Sequence, residues 1–350
     1  MGHLIAYCRA GFEKECAREL VEQSRAADLA DGETTAEAGS AFVTLKLDGA
    51  ISWRESLARV NWRTLVFARQ LWHATARLTG LSRGDRISPL LRALPAEGRF
   101  CDVWIEHPDS QAGRVLSPLA RALTKPLRQN LNDMQRLADN ADARLHVLFD
   151  TSAGAWLGAA LTDACAPWPL GIPRLKMPVS APSRSTLKLE EALYVFLTDT
   201  ERRQLLKPGM TAVDLGAAPG GWTWQMTRRG LRVIAVDNGA MDRRVMNSGD
   251  VEHLRADGFT FKPRRRVDWL LCDMVEQPSR IAQLMATWFK RGDCRCAIFN
   301  LKLPMKRRYE EFQRCRALIE AGLRGRPHSL RFKQLYHDRE EVTGFFASTD

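Results

Sequence analysis

The chain has 350 residues, with 52 basic against 41 acidic side chains and a net charge of +11. That length suits two or three domains and can bury a full core. No apolar run approaches the roughly 18 residues that span a bilayer, acids at Glu13 and Glu15 argue against a secretory signal, and eight scattered cysteines argue against a disulfide framework or a metal site.

The cysteines read instead as reduced thiols of a cytoplasmic protein. The positive excess is unevenly placed: residues 1–170 carry 20 basic and 20 acidic side chains, residues 171–350 carry 32 and 21. A basic half predicts a polyanionic partner, because each neutralised phosphate releases counterions. Residues 51–128 hold 13 basic against 6 acidic side chains, a local stripe suited to RNA.

In chain order, residues 3–9 read as a strand. Residues 12–27 read as a helix with Phe12, Cys16, Leu20 and Val21 on one stripe. An acidic loop at 28–40, a strand at 41–47, a helix near 51–60 and a strand near 64–74 complete a βαββ-like start. This suits a ferredoxin-like module over 1–78. A second unit over 79–165 follows, with a helix near 86–95, a strand at 101–106, a long basic helix at 113–131 and strands near 144–149 and 154–162. Pro167, Pro169, Pro173, Pro178 and Pro182 make 166–183 a linker. The last domain, 184–350, opens on a helix for which Ser185 is a candidate N-cap, with Lys188 one turn in. Strands and helices alternate from 210 to 336, which predicts an α/β fold: a mostly parallel sheet with helices on both faces. Strands near 331–336 and 342–348 read as a closing hairpin.

Everything in that last domain is arranged around Val213-Asp214-Leu215-Gly216-Ala217-Ala218-Pro219-Gly220-Gly221-Trp222-Thr223. Strand, glycine-rich turn and helix make a nucleotide-type cofactor site. Ala218 stands where a dinucleotide enzyme has its second glycine, Pro219 stiffens the turn and no Walker lysine follows, so a cofactor without phosphates fits better. The apolar run Val233-Ile234-Ala235-Val236 ends in Asp237, the ribose-binding device of this fold class. Asp257, in Ala256-Asp257-Gly258, is placed for an adenine amino group, and Asp273 ends a further apolar strand.

Asp214-Leu215-Gly216-Ala217-Ala218-Pro219-Gly220-Gly221-Trp222 resembles the S-adenosylmethionine motif of RNA ribose 2′-O-methyltransferases. Those enzymes carry a Lys-Asp-Lys-Glu tetrad. Its positions match Lys188 in Ser185-Thr186-Leu187-Lys188-Leu189-Glu190-Glu191, Asp273 in Leu271-Cys272-Asp273-Met274, Lys302 in Phe299-Asn300-Leu301-Lys302-Leu303-Pro304, and Glu341 in Asp338-Arg339-Glu340-Glu341-Val342-Thr343. The likeness runs from Tyr7-Cys8-Arg9-Ala10-Gly11-Phe12 to Val342 and is strongest to enzymes that modify a cytidine of 23S rRNA. The resemblance implies a Rossmann-like class I methyltransferase domain with an antiparallel last strand and a THUMP-like RNA-binding fold in the second unit. It implies S-adenosyl-L-methionine as cofactor, held by Ser185, Gly216, Ala218, Pro219, Gly220, Gly221, Asp237, Asp257 and Asp273, with no metal. It also implies free or early-precursor 23S rRNA as substrate; a monomer is expected.

The chemistry requires a base for the ribose hydroxyl. Lys302 is the candidate, provided burial or a nearby cation eases loss of its proton. Lys188 supplies that cation and orients the 2′-oxygen, Asp273 holds the lysines and Glu341 completes the network. The basic run Lys302, Lys306, Arg307 and Arg308 follows a strand end and is placed to grip RNA. The run Lys262-Pro263-Arg264-Arg265-Arg266 enters a strand from its other end and reads as a solvated face. Four other readings stand beside this one. An rRNA-binding assembly factor with a methyltransferase fold, or a 2′-O-methyltransferase of another RNA, fits the same motifs. A base, protein or small-molecule methyltransferase would more often carry Asn-Pro-Pro-Tyr where this chain reads Asp273-Met274-Val275-Glu276. A nicotinamide dehydrogenase is opposed by the missing second glycine.

Overall fold

The computed structural model describes residues 2–96, 98–323, 325 and 327–349. The chain divides into two units, Met1–Ile172 and Pro173–Asp350. The division falls inside the proline-dense stretch, whose one regular turn is the 3₁₀ segment Pro169–Gly171.

The first unit runs β1 (His3–Tyr7), α1 (Glu13–Ala26), β2 (Thr34–Thr35), β3 (Phe42–Lys46), α2 (Trp53–Arg59), β4 (Gln70–Leu78), α3 (Ile87–Arg92), β5 (Asp102–Glu106), α4 (Ser117–Asp133), β6 (Ala143–Thr151) and β7 (Gly154–Leu161). All seven strands share one sheet in the order β2-β3-β1-β4-β7-β6-β5. β4 joins the opening module to the rest by pairing with β1 on one side and β7 on the other, both antiparallel. β5 and β6 are parallel.

The expected strand at 64–74 starts late, at Gln70. Its apolar residues Leu65 and Phe67 are fully buried as the pattern suggests, but their backbone goes elsewhere. The N–H groups of Val66 and Phe67 donate to the buried Glu19 carboxylate at 2.6 and 2.9 Å, which satisfies them outside the ladder. In α4, Ala120, Leu127 and Leu131 face inward and Arg121, Lys125 and Arg128 face solvent, so the part of the basic 51–128 region that falls in α4 lies on an exposed helical face.

The second unit runs α5 (Thr186–Phe196), α6 (Asp199–Leu205), β8 (Thr211–Leu215), α7 (Gly221–Thr227), β9 (Arg232–Val236), α8 (Arg243–Met246), β10 (Val251–Leu254), β11 (Val267–Cys272), α9 (Pro278–Arg291), β12 (Cys294–Lys302), α10 (Arg308–Gly322), β13 (His328–Lys333) and β14 (Glu341–Ser348). Its sheet order is β10-β9-β8-β11-β12-β14-β13. The first five strands are parallel, and β14 runs antiparallel between β12 and β13. This is the Rossmann-like class I arrangement with an antiparallel last strand. Val213, Leu270, Leu271, Ile298 and Phe299 are fully buried in consecutive runs, because helices cover both faces of a parallel sheet.

Two consequences of this topology place the site. Strand order reverses about β8, which opens a crevice beyond the carboxyl ends of β8, β9 and β11. The antiparallel β14 brings its first residue to that same edge, in register with the last residue of β12: Lys302 opposes Glu341. Among the described residues no helix is long and apolar enough to cross a membrane, and no group of three or more His, Cys, Asp or Glu could hold a metal. All eight cysteines are free.

Candidate active site

A cleft of about 340 Å³ opens at the switch point. Its walls include Gly216, Ala218, Asp237, Asp257, Phe259, Asp273 and Met274. Gly216 has a φ of +75°, and a Cβ there would come within 2.5 Å of the Met274 side chain and 3.2 Å of its backbone. Only glycine lets the β8 turn pass Met274 so closely. Asp237 ties the turn to β9: one carboxylate oxygen accepts the Ala218 N–H at 3.0 Å and the other accepts the Gly239 N–H at 2.7 Å. Asp257 is exposed and shapes its own loop by accepting the Phe259 N–H at 2.9 Å. The lining carries three carboxylates and no lysine or arginine. That donor set repels phosphates and suits a cationic, hydroxyl-bearing ligand.

Ser185, Pro219, Gly220 and Gly221 do not line the cleft. Gly220 caps α7 with a φ of +110°. Gly221 is where α5 meets α7: a Cβ there would lie 2.1 Å from Ser185 Oγ and 3.1 Å from the Thr186 nitrogen. Trp222 Nε1 donates to the Ser185 carbonyl at 3.1 Å and Gln225 Nε2 to the Thr186 carbonyl at 3.1 Å. Ser185 holds the N-cap position, but its hydroxyl pairs with Ser183 Oγ at 2.7 Å and caps no backbone N–H. The expected side-chain cap is absent because Ser185 already has helical backbone angles (φ −60°, ψ −23°) and not the extended ones from which a side chain caps the first turn. These contacts pin the first turn of α5 against α7, and that turn carries Lys188.

Lys188 Nζ lies 3.5 Å from Asp273 Oδ1 and 3.3 Å from Glu341 Oε1. Burial alone would lower its affinity for a proton, but the nearby carboxylates of Asp273 and Glu341 outweigh it and hold its pKa above the ordinary lysine value. Asp273 is pushed up, first by burial, against the pull of Lys188 and Asn300. Lys302 completes the edge through its register with Glu341. Its side chain is exposed, so burial, one of the two aids expected of the sequence, is missing in this state. Arg308, at the end of the adjacent basic run, is tied to Glu340 at 2.8 Å. The other run, 262–266, is exposed at the opposite end of β11.

Profiles described as the RlmM ferredoxin-like domain, the N-terminal part of ribosomal RNA large subunit methyltransferase M and an FtsJ-like methyltransferase match residues 1–72, 85–161 and 181–303. The chain is 52% identical over 345 residues to the ribosomal RNA large subunit methyltransferase M of Methylococcus capsulatus, covering 98% of this chain and 97% of that one. It is 51% identical over 346 residues to the Azoarcus sp. protein of the same name, covering 98% and 95%. The chain belongs to the ribosomal RNA large subunit methyltransferase M family. Among solved structures, TrmN from Thermus thermophilus aligns over 99% of this chain and 100% of its own at 19% identity, with a TM-score of 0.38.

Sequence reasoning missed several neighbours of the family's tetrad. Phe259, Met274 and Val275 line the cleft; no motif marked Phe259, and Met274 and Val275 stood inside a quoted motif without a role. Glu191 is buried and accepts the N–H groups of Tyr336 and His337 at 2.7 and 2.8 Å, anchoring the loop that leads to Glu341. Asn300 Nδ2 donates to Asp273 at 2.7 Å. Its position two residues before Lys302, pointing to the same strand face, was the available signal.

Asp214, at the base of the glycine turn, is buried and receives the Thr223 hydroxyl at 2.6 Å. Burial pushes its pKa up from 3.8 to about 7, with the nearby Asp273 and Asp237 adding to the rise. An acid raised on folding stabilises fully below its unfolded pKa, and that contribution is lost as pH rises through the folded value. Asp214→Asn should therefore raise the melting temperature at pH 8 and change little at pH 3.5. The gain at pH 8 should be at most about 4 kcal/mol at roughly 1.4 per unit. Equal melting shifts at the two pH values would show that Asp214 ionises normally.

Proposed function

We propose that this chain transfers a methyl group from S-adenosyl-L-methionine to the ribose 2′-oxygen of a cytidine in free or early-precursor 23S rRNA. The observation that carries the reading is the meeting of Asp273 and Glu341 on Lys188, each with a carboxylate oxygen within 3.5 Å of its ammonium, beside Lys302, at the edge of a carboxylate-lined cleft. When bound, the cofactor supplies an activated methyl group. Gly216 and Ala218 would give it close backbone contact, Asp237 its ribose hydroxyls, and Asp257 with Phe259 its adenine. Lys302 takes the ribose proton as the methyl bond forms. Lys188 remains a cation and orients the 2′-oxygen; Asp273 and Glu341 hold Lys188 in place.

The N-terminal modules, 1–78 and 79–165, would recruit the RNA. The exposed basic face of α4 supports that role. The target nucleotide must be splayed out for its hydroxyl to reach the cleft, which favours rRNA that is not yet assembled. The deciding experiment gives the full-length protein labelled cofactor with unmodified 23S rRNA or with assembled large subunits, then maps the product. One ribose-methylated cytidine on the naked RNA is expected. Tight RNA binding without transfer would make the chain an assembly factor, and methylation on a base would remove the proposed chemistry.

Asp237→Ala should weaken cofactor binding by roughly 1.5–3 kcal/mol, the worth of hydrogen bonds to a charged acceptor. Calorimetry without RNA measures it. Unchanged affinity would place the ribose elsewhere.

A further inference from the structure

A count of protons next to Asp273 leads beyond the tetrad. Asn300 Nδ2 lies 2.7 Å from Asp273 Oδ1, Asn300 Oδ1 lies 2.7 Å from Thr343 Oγ1, and Thr343 Oγ1 lies 2.8 Å from Asp338 Oδ2. Asn300, Thr343 and Asp338 are each at most 3% exposed. Three contacts need three protons along the line. The Asn300 amide nitrogen supplies one, to Asp273. Its carbonyl oxygen only accepts, so Thr343 spends its single hydroxyl proton there. The contact between Thr343 and Asp338 then lacks a donor unless Asp338 is a carboxylic acid. Turning the Asn300 amide over would move the need to Asp273, since the chain would simply run the other way.

Two observations put the proton on Asp338. Burial raises Asp273 too, but the Lys188 ammonium 3.5 Å away and the Asn300 amide pull it back toward its charged form, and a fifth of its side chain reaches solvent. Asp338 is buried in the loop between β13 and β14, and the carboxyl groups of Glu191 and Glu341 face it along with Lys188. Burial pushes its pKa well above the carboxylate range; Lys188 opposes this, and Glu191 and Glu341 add to it.

We propose that Asp338 is a positioning residue: it stays protonated and, through Thr343 and Asn300, feeds a one-directional chain of hydrogen bonds that holds Asp273 ionised and fixed beside Lys188. The line crosses the β12–β14 pair, where Asn300 and Thr343 are in register. The Leu335 N–H, 3.1 Å from Asp338 Oδ2, holds its outer end. The catalytic meaning of this relay rests on the function proposed above; the proton itself does not.

The test therefore has two arms. In the first, infrared spectra of the full-length protein and of Asp338→Asn are compared at neutral pH. The carbonyl band of a protonated carboxyl should be present in the wild type and missing from the variant, while any band from Asp214 cancels in the difference. Coincident spectra would overturn the proposal. If Asp338→Asn does not fold, Thr343→Val replaces it, and the band should shift as the acid loses its acceptor; an unmoved band overturns the proposal too. The second arm compares Thr343→Ser with Thr343→Val. A packing role predicts that valine, the closer match in shape, is tolerated better. The relay predicts the reverse: serine keeps kcat within about threefold and valine loses roughly tenfold or more, the scale of one buried hydrogen bond. KM for RNA and the cofactor Kd should hold in both. Valine equal to or better than serine sinks the relay. Absence of methyl transfer by the wild type would sink the proposed function instead, and the infrared result would still stand.

Discussion

Lys302→Ala should reduce methyl transfer by about 10²–10⁴-fold, the range for loss of a general base, and leave cofactor affinity nearly unchanged. Lys302 ends β12, one strand beyond Asp273, and faces Glu341 across the β12–β14 ladder. Opposed residues in such a ladder have Cβ atoms roughly 4.5–5.5 Å apart, which puts Lys302 within reach of the network around Lys188. It lines no wall of the cleft, so its loss should appear in the chemical step and not in ground-state binding. Lys302→Arg should fail almost as badly, since a guanidinium does not give up its proton near neutral pH. The wild-type rate should rise with pH as the base loses its proton, then level off. Because Lys302 is exposed here, the water around it must be displaced when RNA covers the cleft. Single-turnover rates across pH decide the matter. If Lys302→Arg keeps most of the rate and the same profile, Lys302 is a phosphate contact and the base lies elsewhere.

The parallel core of the second unit was legible because its signals are local. A run such as Trp269-Leu270-Leu271-Cys272 is apolar throughout only when both faces are covered, and Gly216 is fixed by a turn that a Cβ would block. The beginning of β4 was not legible for the opposite reason. Leu65 and Phe67 have strand-like side chains, but a carboxylate far back in the sequence, Glu19, takes the N–H groups of Val66 and Phe67. Periodicity reports burial and is blind to where a backbone N–H donates. The same limit hid Asp338 and Thr343. Each is an ordinary polar residue in sequence, and only the antiparallel return of β14 brings them onto Asn300. Lys188 is an intermediate case: the motif likeness named it, while its geometry depends on the contact of Gly221 with Ser185, which no local pattern encodes.

Lys188→Met should lower methyl transfer by at least about 10²-fold, the scale of a lost orienting contact at a reacting centre. It should also destabilise the fold. The ammonium stands between two carboxylates whose side chains are 21% and 17% exposed, and its own is 18% exposed. Removing it leaves like charges facing each other with little water. Breaking a fully buried pair costs about 3–5 kcal/mol, and this partial exposure should bring the loss to roughly 2–3. The pH dependence follows from the directions of the shifts. Lys188 is raised, so its contribution is complete below the ordinary lysine pKa and is lost only as pH climbs through its raised value. Glu341 is lowered on balance: burial raises it, but Lys188 and the Arg339 N–H pull it down further. Its contribution is complete above the ordinary glutamate pKa and is lost as pH falls through the lowered value. The melting deficit of Lys188→Met should therefore hold from about pH 6 to 9 and shrink below about 4.5 as the carboxylates take up protons. Adding Glu341→Gln removes one of the repelling charges and should return much of the stability. It should not return the activity, because no cation then orients the 2′-oxygen. If Lys188→Met melts like the wild type and still methylates RNA at a similar rate, the cluster of Lys188, Asp273 and Glu341 is a surface ion pair and not the centre of the site.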